Sequence, residues 1–101
     1  MYVQKPYMEE LEFTWDERKR QTNIKKHGID FADVTGIFYD DETIIIEDPE
    51  HYEEQRYIAL GIDAKSRAVV VVHVYRDEDV IRIISARKAD PTERQQIAGA
   101  T

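Results

Sequence analysis

Two adjacent stretches, Ala68-Val-Val-Val-Val-His-Val-Tyr-Arg76 and Val80-Ile-Arg-Ile-Ile-Ser-Ala-Arg87, decide the fold. The first is apolar on both parities from Val69 to Val72 and again at Val74, the pattern of a central strand covered on both faces. The second is also strand-like, with Arg82 interrupting an apolar run. The short polar link Asp77-Glu-Asp79 reads as a hairpin between them.

Working outward, two further strands are expected upstream, Thr43 to Glu47 and Gln55 to Gly61. Leu11-Glu-Phe-Thr-Trp15 alternates and reads as a short N-terminal strand. Asp16 is placed to cap a helix over Glu17 to His27, a nearly all-polar segment whose main apolar residue is Ile24. Gly28 sits where a left-handed cap is wanted, and Lys25, Lys26 and His27 suit the negative end of the helix dipole. A second helix is expected after Asp30, with Ile29 and Val34 as a hydrophobic staple and Phe31, Val34, Ile37 and Phe38 on one face. Asp40-Asp-Glu42 ends it. Asp90-Pro-Thr-Glu93 has the N-cap, the Pro at N1 and the Glu at N3 of a helix start. The order βααββββα predicts an α+β fold, an antiparallel sheet with N-terminal helices packed mainly on one face and a short C-terminal helix. One domain over residues 11–97 is expected, with a loose segment 1–10 before it and a small-residue tail 98–101 after it.

The chain has 101 residues, 42% of them hydrophobic. A single domain of this size buries roughly two-thirds of its unfolded surface and folds without staples. There is no cysteine, so disulfide frameworks and thiolate metal sites are excluded. No window approaches about 18 consecutive apolar residues, so no membrane span is expected. The first twelve residues lack the apolar core of a signal peptide, and a cytoplasmic location is expected.

Net charge is 14 − 21 = −7, which by itself opposes broad nucleic-acid affinity. The charges are segregated, however. Arg18 to His27 holds five Lys or Arg and no acid, Asp40 to Glu54 holds eight acids and no base, and Val80 to Ala89 holds Arg82, Arg87 and Lys88 with no acid. A local positive patch can persist on an acidic protein.

Three histidines are present, His27, His51 and His73, and none stands four residues from another. No metal site is expected from them; His73 on a valine-rich strand reads as a core or edge histidine and His27 as a helix cap rather than a catalytic base. Asp48 with Asp63-Ala-Lys65 resembles a metal nuclease's acid–acid–Lys pattern only faintly, because Asp63 to Ser66 reads as a turn where that pattern wants a strand. The basic set is more informative. Parity puts Arg82 opposite Ile81, Ile83 and Ser85, hence on the open side of the sheet if those residues face the helices. Arg56 opens another strand and shares parity with Ile58 and Leu60. Arg87 has the opposite parity from Arg82, so both serve one site only if the strand ends or bulges near Ala86. Two readings stay open: Arg82 in an open-face site, or Arg82 paired with a carboxylate such as Glu54.

Phe13-Thr-Trp-Asp16, Asn23-Ile-Lys-Lys-His-Gly-Ile-Asp-Phe31, Phe38, Glu54-Gln-Arg-Tyr-Ile-Ala-Leu-Gly61, Val69 to Val74 and Arg82-Ile-Ile-Ser-Ala-Arg-Lys-Ala89 together resemble, in order, the BrnT family of type II toxins, over roughly Leu11 to Gln96. The combination of Lys26-His-Gly28 with Arg82-Ile-Ile-Ser-Ala-Arg87 at this spacing is the specific part. The resemblance implies a RelE-like fold and a bacterial toxin that cleaves RNA. It implies as partners a cognate antitoxin, a small DNA-binding protein, and operator DNA contacted only through that antitoxin. RNA supplies its own nucleophile, the 2′-OH, so the implied site needs no metal or cofactor, only proton transfer and fixed positive donors. Lys26, His27, Arg56 and Arg82 are the catalytic residues so implied, and Lys25, Tyr57, Arg87 and Lys88 the RNA contacts. The alternative is a non-catalytic protein-binding module or an inactive homologue, using the acidic stretch and the basic helix to contact protein partners.

Overall fold

The computed structural model describes residues 11–50 and 53–97. The expected loose segment 1–10 and tail 98–101, and His51, lie outside the described residues. Strands β1 (Glu12–Thr14), β2 (Ile44–Glu47), β3 (Tyr57–Ile62), β4 (Ala68–Asp77) and β5 (Val80–Lys88) form one sheet in the order β1-β5-β4-β3-β2. Helix α1 (Glu17–His27) follows β1, two 3₁₀ turns (Phe31–Asp33 and Thr35–Tyr39) lead into β2, and α2 (Pro91–Arg94) follows β5. The valine-rich strand β4 is central, as its two-sided pattern requires. Asp77 pairs with Val80 across a two-residue turn.

The sheet departs from the expectation in one respect. β2 to β5 are antiparallel, but β1 adds to β5 in parallel, pairing Phe13 with Ile81 and Thr14 with Arg82. The sheet is therefore mixed.

A second difference concerns the segment after Asp30. Its side chain caps Ala32 N–H as expected, but two 3₁₀ turns replace the α-helix. The Asp33 carbonyl, which an α-helix would give to Ile37, instead accepts the Ala64 N–H at 3.0 Å, and Ile37 N–H goes to Val34 O at 3.3 Å. β-branched Val34 and Thr35 next to Gly36 offer little helical propensity to oppose that exchange. The apolar face survives: Phe31, Val34 and Ile37 are fully buried and Phe38 nearly so. They pack with Ala59, Val69, Val71, Ile81, Ile83 and Ala86 to form the main core. Gly61 permits this docking closely, since a Cβ there would meet Thr43 Oγ1 at 2.7 Å and Ile37 Cβ at 3.2 Å.

The opposite face of the sheet carries a smaller cluster, Leu60, Val70 and Ile97, brought over it by the segment that starts with α2. The Asp90–Glu93 capping box forms as read. Among the described residues no helix is long and apolar enough to cross a membrane.

Candidate functional site

Helix α1 has almost no apolar face, so something other than hydrophobic burial must hold it. Asn23 does so. It is buried, donates from Nδ2 to Ala86 O (2.7 Å) and Ile29 O (2.9 Å), and accepts the Ala86 N–H at 3.1 Å. One amide side chain thus takes both backbone groups of a strand residue, as a neighbouring strand would. Arg20 adds a two-pronged contact to Asp30, at 2.8 and 2.9 Å. Gly28, at φ +72°, ends the helix in the left-handed cap that was expected.

With Asn23 and Arg20 turned inward, Arg18, Lys19, Lys25 and Lys26 remain outside, and their side chains make no ion pair among the described residues. Arg18, Thr22 and Lys26 recur every four residues and so share one face. That face, with His27, borders a groove of about 280 Å³ whose other wall is Ile84 and Ser85 of β5.

The β5 wall depends on a bulge. Val72 pairs with Ser85 and His73 with Ile83, so Ile84 is an extra residue in β5. The bulge reverses the parity beyond it. Ile81, Ile83 and Ala86 all face the main core, while Arg82, Ser85 and Arg87 pair with Val74, Val72 and Val70 on the other face. The expected Ser85 orientation is corrected, and the condition for Arg82 and Arg87 to share a face is met.

Arg82 lies on the face away from the 3₁₀ turns, half-buried, between Thr14 and Val74 in the pairing register. It makes no hydrogen bond or ion pair among the described residues. Glu54, the rival partner, is taken by Arg76 at 2.6 Å. Asp16, the α1 cap, is the carboxylate that feels Arg82. Its carboxyl is held below the usual range mainly by the backbone N–H groups of Lys19 and Arg18, with a smaller contribution from the Lys19 and Arg82 charges. Tyr57 pairs with His73, so Arg56 falls opposite Val74 one position further on and shares a face with Arg82.

Two expected site residues are placed elsewhere or engaged otherwise. Tyr57 packs in an aromatic group with His73 (centroids 6.0 Å) and Tyr75 (5.0 Å), two strands from β5. Arg87 is clamped by Glu93 at 2.8 and 2.9 Å; the guanidinium pushes the Glu93 carboxyl down to about 2. Lys88, next to it, makes no ion pair among the described residues. His73 is fully buried against Phe38, and burial lowers its imidazole to about 4, so it is a neutral core residue. Asp63 is a turn residue, as read: it accepts from Lys65 N–H and Arg67 N–H and pairs with Arg67 at 2.7 Å.

The sequence reading missed Arg18, Thr22 and Ser85 as groove residues, and Asn23 as the clasp that ties α1 to β5. An asparagine in mid-helix, a poor helix former at a position with no cap to make, was the available signal.

The class this defines is an α+β domain whose N-terminal helix lies along a bulged strand edge, with free cations facing a groove. The family model described as "Ribonuclease toxin, BrnT, of type II toxin-antitoxin system" matches residues 15–93. The chain belongs to this family. The crystal structure of the Brucella abortus ribonuclease toxin BrnT superposes with a TM-score of 0.65 at 31% identity, covering 79% of this chain and 97% of that one. No curated protein matches.

Proposed function

We propose that the chain is a metal-independent endoribonuclease that cleaves RNA by attack of the 2′-OH on the adjacent phosphate, and that a DNA-binding antitoxin silences it. The observation that carries this reading is Arg82: a half-buried arginine with no ion-pair partner among the described residues, on the strand that walls the cationic groove. In the reaction the 2′-oxygen bonds to phosphorus and its proton leaves to a base. The 5′-oxygen departs with a proton, and a 2′,3′-cyclic phosphate remains. Lys26 and His27 at the groove are the groups to move those protons. Arg82, with Arg56 on the same face, opposes the negative charge that builds on the phosphoryl oxygens. Arg18, Lys19 and Lys25 extend the cationic track for flanking phosphates, and Lys88 reaches the far end of β5. Arg87 is left a positioning role through Glu93, and Tyr57 offers an aromatic surface only beyond the groove. Among the described residues no three His, Asp or Glu gather as metal ligands, so the reading gives charge stabilisation to arginine.

Cleavage of an RNA oligonucleotide, with analysis of the ends, tests this. Activity should persist in EDTA and leave 2′,3′-cyclic or 3′-phosphate ends. Arg82→Ala should lower the rate by about 10²-fold, the loss expected for one preorganised donor, with little change in melting temperature. Loss of cleavage in chelator, restored by Mg²⁺, overturns the metal-free mechanism. A folded Arg82→Ala protein with undiminished cleavage removes Arg82 from the site.

A further inference from the structure

The sheet edge farthest from α1 is β2, and it is built unlike a protected edge. Three successive isoleucines, Ile44, Ile45 and Ile46, are 36%, 42% and 54% exposed. Protected edges usually carry lysine, proline or a bulge; β2 has none of these and pairs in unbroken register with β3. Asp48 N–H bonds to Arg56 O, so by antiparallel alternation Ile46 and Ile44 also turn their backbone groups to β3, and those of Ile45 and Glu47 face outward. Ile44 and Ile46 line an apolar groove of about 310 Å³ with Ile58, Leu60 and Val70, rimmed by Glu93 and Gln96.

Charge indicates what fits. Asp40, Asp41 and Glu42 precede the strand, Glu47 ends it and Asp48 follows it, none with a cationic partner among the described residues. A second copy fits poorly: antiparallel pairing of two β2 strands about Ile45 sets Glu42 against Asp48 of the other copy, and like charges opposite one another are destabilising. An RNA backbone is repelled as well. Residues 1–10 of the chain itself offer one lysine against two glutamates.

We propose that β2 is a strand-addition site for a basic segment of a partner protein, one with apolar residues at alternate positions and Lys or Arg at both ends. The segment's backbone pairs with Ile45 and Glu47, its apolar side chains fill the groove beside Ile44 and Ile46, and its cations meet the acids at either end. The inference rests on the antitoxin reading only for the partner's identity, which it narrows to an antitoxin with a basic extended segment.

The test uses the full chain and a labelled synthetic peptide, Lys-Lys-Ile-Thr-Val-Thr-Ile-Lys-Lys, followed by anisotropy and by amide chemical shifts. Saturable, salt-sensitive binding is expected, with shifts concentrated at Ile45 and Glu47. Ile46→Lys should weaken it by about tenfold or more, equivalent to about 1.4 kcal/mol, and so should a peptide with Glu in place of every Lys. No saturable binding, or shifts confined to α1 and β5, overturns the proposal. A concentration-dependent dimer abolished by Ile46→Lys also overturns it, by giving the edge to a second copy. None of these readouts involves RNA cleavage, so an inactive enzyme with a working edge, or the reverse, is recognised as such.

Discussion

The two long edges of the sheet are finished in opposite ways. At one edge, β1 covers β5 only from Val80 to Arg82, and helix α1 takes over, with Asn23 occupying the backbone groups of Ala86. At the other, β2 ends the sheet with three exposed isoleucines and outward-facing backbone. The closed edge is lined by cations, and the open edge bracketed by carboxylates, that make no ion pair among the described residues. Segregation of charge along the sequence thus becomes segregation across the sheet. A net charge of −7 says little about nucleic-acid binding when the acidic run Asp40 to Asp48 lies at the edge away from the groove.

The largest effect should come from removing the clasp that closes the first edge. Asn23→Ala leaves the Ala86 N–H and C=O and the Ile29 carbonyl short of partners in a buried place. Unsatisfied buried groups cost about 1–3 kcal/mol each, and partial access to water lowers the sum, so about 2–4 kcal/mol of stability should be lost in a urea melt. Asn23→Asp sharpens the point. The carboxylate still accepts from Ala86 N–H but confronts two carbonyl oxygens, so only its protonated form donates. Its folded-state pKa is then raised, and the variant's stability should recover as pH falls. If Asn23→Ala melts like the parent, α1 is held by Arg20–Asp30 and its few apolar contacts instead.

That clasp also marks where the sequence stopped being readable. Central β4 was legible because a run apolar on both parities has few other homes, and the α2 start because cap, proline and glutamate each leave a residue type at a fixed offset. The α1 limits were legible for the same reason, Asp16 and Gly28 being local devices. The docking of α1 was not, because it depends on Asn23 meeting Ala86, 63 residues away in the chain. The bulge at Ile84 was open for a like reason: Ile83-Ile84 is compatible with continuous alternation, and only pairing with β4 shows which residue is extra. The segment after Asp30 misled because its apolar spacing suits a 3₁₀ turn nearly as well as an α-helix, and the Ala64 N–H decided between them from outside. Of the candidate site, parity could put Arg82 on the open face and the cap pattern could put Lys26 and His27 at the end of α1, but the face of Arg56 needed the β3–β4 register. Engagement of Arg87 by Glu93 could not be read, since the glutamate was already accounted for as a helix cap.

A smaller effect is expected at Gly28, also on the closed edge. Its φ of +72° is costly for a residue with a Cβ, yet a Cβ there would meet nothing within 4 Å. Gly28→Ala should therefore cost only backbone strain, about 1–2 kcal/mol, measured by thermal melting. If the cap also sets the position of His27, cleavage should fall beyond what the unfolded fraction explains. Equal losses of activity and folded protein would confine Gly28 to stability.

The smallest effect should be at the open edge, and it gives the comparison its control. Ile46 is 54% exposed, more than Ile44 or Ile45 beside it, so its side chain contributes little to the fold of the free chain. Threonine keeps the β-branch, and with it the strand preference, while removing apolar surface. Ile46→Thr should leave the melting midpoint within about 0.5 kcal/mol of the parent, the usual range for surface substitutions. Cleavage should also be unchanged, because the groove lies at the opposite edge. A strand end that existed only to complete the core would respond otherwise: losing a buried isoleucine's contacts costs about 2 kcal/mol or more. A destabilisation of that size would mean that Ile46 is covered in the free chain. The two edges would then differ in chemistry but not in being closed.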